Sequence, residues 1–315
     1  MTAYAIRKLG WTALVLLVMS IIIFGAIRLV PSDVVDLMFQ ADAADSAQKE
    51  ELRRRLGLDQ PFHVQYGRWL GGILAGDFGV SLRNGTSVGA EILRALPVTI
   101  QLVLFGTVLG ALVGIVLGVL AAKFRAAWID WLIQPIGLIG LSVPNFWLGS
   151  LMLIGVGLYF PTWSVVGYRS FLEDPLRNLA TMSFPAAALG LALAAAVMRM
   201  TRSSVLEVME LDFVRTARAK GMVEGVVMRR HILRNALIPV LTVLTIQVGV
   251  LIGGSIVLER VFALPGLGRL LVTAISERDY PVVQGVTFVV SFIFVMINLA
   301  TDLVYRVLDP RVKTG

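Results

Sequence analysis

Residues 199–235 read RMTRSSVLEVMELDFVRTARAKGMVEGVVMRRHILRN, a polar stretch between long apolar segments. The stretch carries eight basic and four acidic residues, a net charge of +4. Apolar residues recur in it at every fourth position, namely Val205, Met209, Phe213 and Ala217. This spacing predicts one helix with a narrow apolar stripe on an otherwise polar surface. Gly221 is expected to end that helix, so the pattern predicts a folded helical hairpin rather than a slack linker.

A second short amphipathic segment follows Gly221. Its predicted apolar side consists of Val223, Val226, Val227 and Leu233. Pro239 is then expected to open the next apolar helix, because proline fits the first helical turn. A basic amphipathic hairpin can also simply lie on anionic lipid headgroups. A lipid anchor, however, needs neither a fixed glycine between two helical turns nor four acidic residues.

The composition of the whole chain sets its class. Of its 315 residues, 57% are hydrophobic and only 16% are charged, with a mean hydropathy of +0.81. This balance is typical of an integral membrane protein. The net charge of +7 does not indicate nucleic-acid binding, since the basic residues are not gathered with aromatic residues on one soluble module. The absence of cysteine from the sequence excludes disulfides and cysteine-based metal sites.

Six apolar stretches are each long enough to cross a hydrocarbon layer of about 30 Å. They lie at about 9–27, 98–122, 131–159, 179–198, 236–258 and 282–305. We therefore predict an all-α, polytopic membrane protein with six transmembrane helices. Pro144 predicts a kink inside the third helix. In the second helix, glycine at every fourth position indicates close packing against a neighbouring helix, at Gly106, Gly110, Gly114 and Gly118.

The distribution of charge predicts the orientation of these helices. With both termini, the turn at 123–130 and residues 199–235 assigned to one side, that side carries 15 of the 28 basic residues and a net charge of +8. The opposite side, which includes residues 31–96, carries a net charge of −1. The positive-inside rule therefore predicts cytoplasmic termini and a cytoplasmic 199–235 loop. Within residues 31–96 we expect a surface helix that begins near Asp45 and ends at Gly57.

The chain lacks the sequence marks of an enzyme or of an ion-coupled transporter. The apolar stretches contain no ionisable residue as far as residue 301, which disfavours proton or sodium coupling. His63 and His231 stand alone, and we predict no catalytic residue and no metal site. A phosphate loop for ATP hydrolysis is also missing from the sequence. Any ATP energy would have to come from another protein.

A few polar residues fall at predicted membrane depth. Asn145, Gln247 and Ser255 are candidates for lining a translocation path. The same side chains can instead cross-bond and pack neighbouring helices, and this is the simpler interpretation. The sequence leaves both alternatives open.

Several runs of the chain resemble the permease subunits of ATP-binding cassette (ABC) importers, in their peptide/nickel branch. The runs are DFVRTARAKG at 212–221, RNALIP at 234–239, LGLDQP at 56–61, GDFGVS at 76–81 and RDYP at 278–281. Importer permeases in general have Glu-Ala-Ala where this chain has Arg215, Thr216 and Ala217. The glycine and the closing proline of that pattern are both present. The resemblance covers nearly the whole chain.

This resemblance implies a type I importer-like permease architecture in a bacterial inner membrane. Its regions would be a first helix with its cytoplasmic end at 1–30, an extracytoplasmic insertion at 31–96, a core of five helices at 97–310 and a tail at 311–315. The 199–235 loop would couple the core to ATPase subunits. The residues implied in that contact are Phe213, Arg215, Thr216, Ala217, Arg218, Ala219, Lys220, Gly221 and Met222.

The implied partners are a second, homologous permease, two cytoplasmic ATPase subunits, an extracytoplasmic solute-binding protein and membrane lipid. The ATPase subunits would use ATP and Mg²⁺, while this chain would bind no cofactor and no nucleic acid. Two alternatives use the same helices: a permease subunit of an exporter, and a channel-like protein that ATP does not drive. The substrate stays open among dipeptides, oligopeptides, glutathione-like compounds and nickel chelates.

Overall fold

The computed structural model describes residues 2–29, 50–51, 53–54, 59–160 and 167–308. Every regular element that these residues form is a helix, in agreement with the predicted all-α class. The helices are α1 (Thr2–Arg28), α2 (Phe62–Leu74), α3 (Val88–Lys123), α4 (Trp128–Ser142), α5 (Asn145–Tyr159), α6 (Pro175–Met209), α7 (Asp212–Ala219), α8 (Glu224–Val226), a π-helix (Val227–Leu233), α9 (Arg234–Val261), α10 (Leu267–Glu277) and α11 (Tyr280–Leu308). The predicted helix from Asp45 to Gly57 and the tail at 311–315 fall largely or wholly outside the described residues.

Five of the described helices are long and apolar enough to cross a membrane, and the number rises to six if α4 and α5 form one span. The predicted third span is the one that differs from expectation. Instead of a kinked helix, α4 and α5 meet at an angle of 103°. Pro144 has no backbone N–H, and the preceding Val143 adopts an extended conformation (φ −84°, ψ 123°), as residues before proline prefer. The helix therefore breaks completely between Ser142 and Asn145.

The chain divides into two compact units. The first comprises Met1–Arg94 and Leu270–Val295. Its centre is the fully buried Phe24 of α1, whose ring contacts the rings of Phe62, Tyr66 and Trp69 on α2 at centroid distances of 5.2 to 5.6 Å. The Ser20 and Tyr66 hydroxyls share a hydrogen bond of 2.7 Å. These contacts hold α2 against α1.

The second unit comprises Ala95–Arg269 and Met296–Gly315. In it the glycine stripe of α3 packs directly on the backbone of α6. A Cβ atom added at Gly110, Gly114 or Gly118 would lie 2.6 Å from a carbonyl oxygen of α6. Side chains of any size would separate the two helices, so the close packing predicted from the four-residue glycine spacing is confirmed.

A buried carboxylate joins three segments of the second unit. The sequence places Glu259 just outside the fifth span, yet it lies within α9 and its side chain is fully buried. It accepts hydrogen bonds from the Thr99 hydroxyl at 2.7 Å and from the backbone N–H groups of Gly268 at 2.7 Å and Arg269 at 3.2 Å. Glu259 therefore caps the first turn of α10 and ties it to α3 and α9.

Candidate functional site

The coupling loop, defined here as residues 199–235, does not begin with the single helix that the sequence predicts. Helix α6 continues only to Met209, Leu211 adopts an extended conformation (φ −73°, ψ 146°), and α7 starts at Asp212. This break resets the helical register. As a result the apolar stripe that the sequence predicts, from Val205 to Ala217, does not run straight across the loop.

The consequence is a different set of buried side chains on α7. Val214 and Ala217 are buried at 0% and 5% exposure, whereas Phe213, predicted on the apolar side, is 43% exposed. Val214 and Ala217 belong to one apolar core that joins the loop to the ends of three longer helices. Its other members are Ala122 of α3, Val205 and Val208 of α6, Val227 and Ile232 of the π-helix, and Ala236 of α9.

The end of α7 has the hydrogen-bond pattern of a Schellman motif. The Met222 N–H donates to the Ala217 carbonyl at 3.4 Å, and the Gly221 N–H donates to the Arg218 carbonyl at 2.9 Å. Gly221 has φ +78°, a left-handed conformation that costs other residues roughly 1–2 kcal/mol. The expectation that Gly221 ends this helix is confirmed, and the glycine fixes the direction in which the chain leaves α7.

The second segment is helical, but its apolar side is only partly as predicted. Val227 is buried, whereas Val223 and Val226 are exposed and Ile232, absent from the prediction, is fully buried. The burial of Ile232 follows from the wider π-helical turn at Val227–Leu233, which does not keep the 3.6-residue period, whereas Val223 and Val226 precede that turn. Pro239 does not open the next helix either: it lies inside α9, which begins at Arg234.

The outer surface of the loop is basic and partly cross-linked by ion pairs. Arg218 donates two hydrogen bonds to the Glu224 carboxylate, at 2.7 and 3.1 Å, and so joins α7 to α8. These bonds raise the pKa of the Arg218 guanidinium, which therefore stays cationic. Arg215 lies 3.6 Å from Asp212 on the same helix. Lys220 is exposed beside them. Exposed pairs of this kind add little stability, so the cations remain available to a partner.

The residues proposed for ATPase contact are continuous in space but differ in exposure. The exposed members are Phe213, Arg215, Thr216, Arg218, Ala219, Lys220 and Gly221. Met222 is partly buried against the apolar core. Ala217 is inside that core, so it positions α7 rather than presenting a side chain to a partner.

The three polar residues proposed for a translocation path do not form one group in the structure. The Asn145 amide of α5 lies beside Gly254 of α9. Ser255 is buried and donates to the Ile252 carbonyl at 2.9 Å, next to Glu259. Gln247 is partly buried two turns earlier on α9. Both hydrogen bonds of Ser255 stay within α9, so the bonding between helices is not seen for it, and all three residues stay predictions for the path.

One ionic contact near the loop was not predicted. Asp130, at the start of α4, is 4% exposed and accepts hydrogen bonds from Arg202 of α6 at 2.8 and 2.9 Å. Gln134 and the backbone N–H of Ala126 also donate to it. The two charged residues are 72 positions apart in the chain. Without the three-dimensional fold, nothing in the sequence pairs them.

Comparison with protein families accounts for almost the whole chain. Residues 114–314 match the family described as binding-protein-dependent transport system inner membrane component. Residues 1–103 match the N-terminal part of the same kind of membrane component. The chain belongs to this permease family. Together with the five or six long apolar helices, membership assigns it to the inner membrane as a multi-pass protein.

Individual relatives are similar over their full length. A peptide transport system permease protein of Brucella abortus is 42% identical over 99% of both chains. The oligopeptide transport system permease protein AppB of Bacillus subtilis is 39% identical over 99% of this chain and 100% of its own. In addition, a solved structure of the MetNI methionine ABC transporter has a chain with a similar fold. The two chains superpose with a TM-score of 0.56 and are 19% identical. The superposed region covers 69% of this chain and 96% of the transporter chain.

Proposed function

We propose that this chain is one permease subunit of an ATP-driven importer of peptides or chemically related small solutes. It would form half of the translocation path beside a second, homologous permease. The complex would have two cytoplasmic ATPase subunits, one of which would bind the coupling loop of this chain, and an extracytoplasmic binding protein would deliver the solute. The observation that carries the proposal is α7, a short helix with a basic exposed face whose opposite face is locked into the ends of three long helices.

The apolar core explains how a movement of α7 would reach the membrane. Val214 and Ala217 contact a core that contains Ala122 of α3, Val205 of α6 and Ala236 of α9. Because such a core is close-packed, α7 cannot shift without displacing these helix ends. Closure of the ATPase subunits on ATP would therefore move the loop as a rigid body and reorient the attached helices, which opens the path alternately to each side.

The charge of the loop indicates the chemistry of its partner surface. Arg215, Arg218 and Lys220 lie exposed on or next to α7, and further exposed arginines follow on the second segment, at Arg229, Arg230 and Arg234. The complementary surface is an acidic groove on each ATPase subunit, with an apolar pocket for the half-exposed Phe213. This arrangement requires the loop, and both termini with it, to be cytoplasmic.

The substrate class follows from the relatives and from the path itself. Relatives that are 39–42% identical are named for peptide and oligopeptide transport. The long apolar stretches of this chain carry only scattered amides and hydroxyls and no ionisable group as far as residue 301. Because such a passage offers few specific contacts, it suits peptides with different side chains, and the binding protein would select among them.

Replacing Gly221 with aspartate is expected to uncouple the transporter. Aspartate tolerates the left-handed conformation of Gly221 better than most residues, and a Cβ there meets no atom within 4 Å. The loop should therefore fold, while a negative charge enters the basic surface that faces the acidic groove. We expect peptide uptake in cells to fall by roughly tenfold or more, equivalent to about 1.4 kcal/mol of lost interaction.

The matched control is Gly221→Asn, because asparagine has the size of aspartate and also tolerates the left-handed conformation but adds no charge. It should retain uptake. Membrane abundance of both variants is measured by immunoblot, and co-purification of ATPase subunits in mild detergent reports the contact itself. Wild-type uptake and ATPase recovery in the Gly221→Asp variant would contradict the proposed coupling role.

A further inference from the structure

The first unit contains a cavity of about 700 Å³ between the end of α1, helix α2, the turns at 76–82 and the start of α11. This size lies within the roughly 300–1,000 Å³ range of ligand pockets. Its wall is mixed: Phe24 and Trp69 supply aromatic surface, Arg28 and Arg68 supply positive charge, and Asp77 supplies one negative charge. A cavity with both signs of charge and an aromatic wall fits an amphipathic, zwitterionic ligand.

Two of its polar side chains have unused hydrogen-bonding capacity. Gln284 of α11 is only 7% exposed, yet its amide makes no hydrogen bond with any residue that the structure describes. Its amide therefore keeps hydrogen-bonding capacity for a ligand bound in the cavity that it lines. Arg68 of α2 likewise forms no ion pair or hydrogen bond within the described part of the chain, and its guanidinium is exposed at the cavity.

The cavity lies at the level where a membrane meets water. Arg28 is the first charged residue after the apolar run of α1, and its guanidinium lies over the Phe24 ring at 4.9 Å. One side of α1 below it is exposed and apolar, with Leu17, Val18, Ile21 and Ile22. Such a surface contacts acyl chains, and aromatic and arginine side chains at its end contact headgroups.

We propose that this cavity binds the headgroup of a phospholipid that carries a phosphodiester and a primary ammonium, as in phosphatidylethanolamine. Arg28 and Arg68 would hold the phosphodiester, which arginine recognises with paired hydrogen bonds. The Gln284 amide would donate to the same oxygens, and Asp77 would face the ammonium. With the cytoplasmic termini proposed above, the lipid belongs to the outer leaflet; only the choice of leaflet rests on that proposal.

The test is native mass spectrometry of the full-length chain, purified with its co-purifying partners, delipidated and then titrated with phosphatidylethanolamine or phosphatidylglycerol. We expect Arg68→Gln and Gln284→Leu each to weaken phosphatidylethanolamine binding by roughly tenfold, since each removes a hydrogen bond to a charged group. Arg94→Gln is the matched control, because Arg94 is an exposed arginine of the same unit that does not line the cavity. Asp77→Asn should abolish the preference for phosphatidylethanolamine over phosphatidylglycerol.

Several results would overturn the assignment. Equal binding of phosphatidylethanolamine to the wild type and to both cavity variants would exclude the cavity as its site. Equal affinity of the wild type for the two lipids would exclude recognition of the ammonium, and retention of a peptide instead of lipid would exclude a lipid site. The measurement needs neither ATP nor solute. If the complex fails to import peptides but still binds lipid as expected, the transport proposal is wrong and the lipid proposal stands.

Discussion

A chain with leucine in place of Gly114 is expected not to accumulate as a folded membrane protein. Gly114 lies at a direct contact between α3 and α6: a Cβ there would lie 2.6 Å from the Ala194 carbonyl oxygen and 2.7 Å from the Val197 Cβ. Backbone atoms cannot move aside as a flexible side-chain end can. Overpacking of this kind costs about 1–3 kcal/mol or more. Carbonyl oxygens of α6 lie equally close to Gly110 and Gly118. A helix shift that makes room for leucine at position 114 would therefore disturb the packing at these two glycines.

The measurement is fluorescence-detected size-exclusion chromatography of the chain in mild detergent, followed by thermal unfolding of the recovered peak. The matched control is Gly157→Leu, since Gly157 is also a helical glycine but a Cβ there meets no atom within 4 Å. The control should give a wild-type peak and midpoint. A Gly114→Leu variant with the same peak and midpoint as that control would show that α3 and α6 are not held in this contact.

The glycine stripe was readable from the sequence because its signal is local and periodic. A small residue at every fourth position has few explanations in an apolar helix, and close helix packing is the main one. The apolar spans and the helix end at Gly221 are local signals of the same kind. Each could be predicted because the residues that cause the feature are adjacent to it in the chain.

The features that the sequence missed depend on contacts or on small backbone departures. The break at Leu211 and the π-helical turn at Val227–Leu233 shift the helical register by a fraction of a turn, which is enough to expose Phe213 and bury Ile232. Pro144 indicated a distortion, but the sequence does not specify a bend of 103°. A periodic pattern cannot report such changes, because it assumes one period throughout.

The sequence also did not predict the two buried carboxylates. Asp130 and Glu259 both adjoin apolar stretches and read as ordinary residues at the end of a span. Their burial depends on distant donors, Arg202 for Asp130 and Thr99 for Glu259, which only the fold brings near. These carboxylates fix how the helices of the second unit meet, and the first of them leads to a second prediction of large effect.

Arg202→Ala is expected to destabilise the second unit by about 3–5 kcal/mol, because it leaves the Asp130 carboxylate buried without a countercharge. The Asp130 side chain is 4% exposed, and Arg202 bonds to both of its carboxylate oxygens. Gln134 and the Ala126 N–H still donate to it, but neither supplies positive charge. The result should be a lower midpoint of thermal unfolding in detergent.

The chain contains a matched control for this substitution. Arg125 lies 3.4 Å from Glu210 in a pair whose two side chains are largely exposed, so Arg125→Ala should cost only about 0–1 kcal/mol. The double variant Asp130→Ala/Arg202→Ala should recover part of the stability lost in Arg202→Ala, because no unpaired charge remains buried. Equal midpoints for Arg202→Ala and Arg125→Ala would contradict a buried pair. A double variant less stable than Arg202→Ala would show instead that packing of the two side chains, rather than their charges, holds α4 on α6.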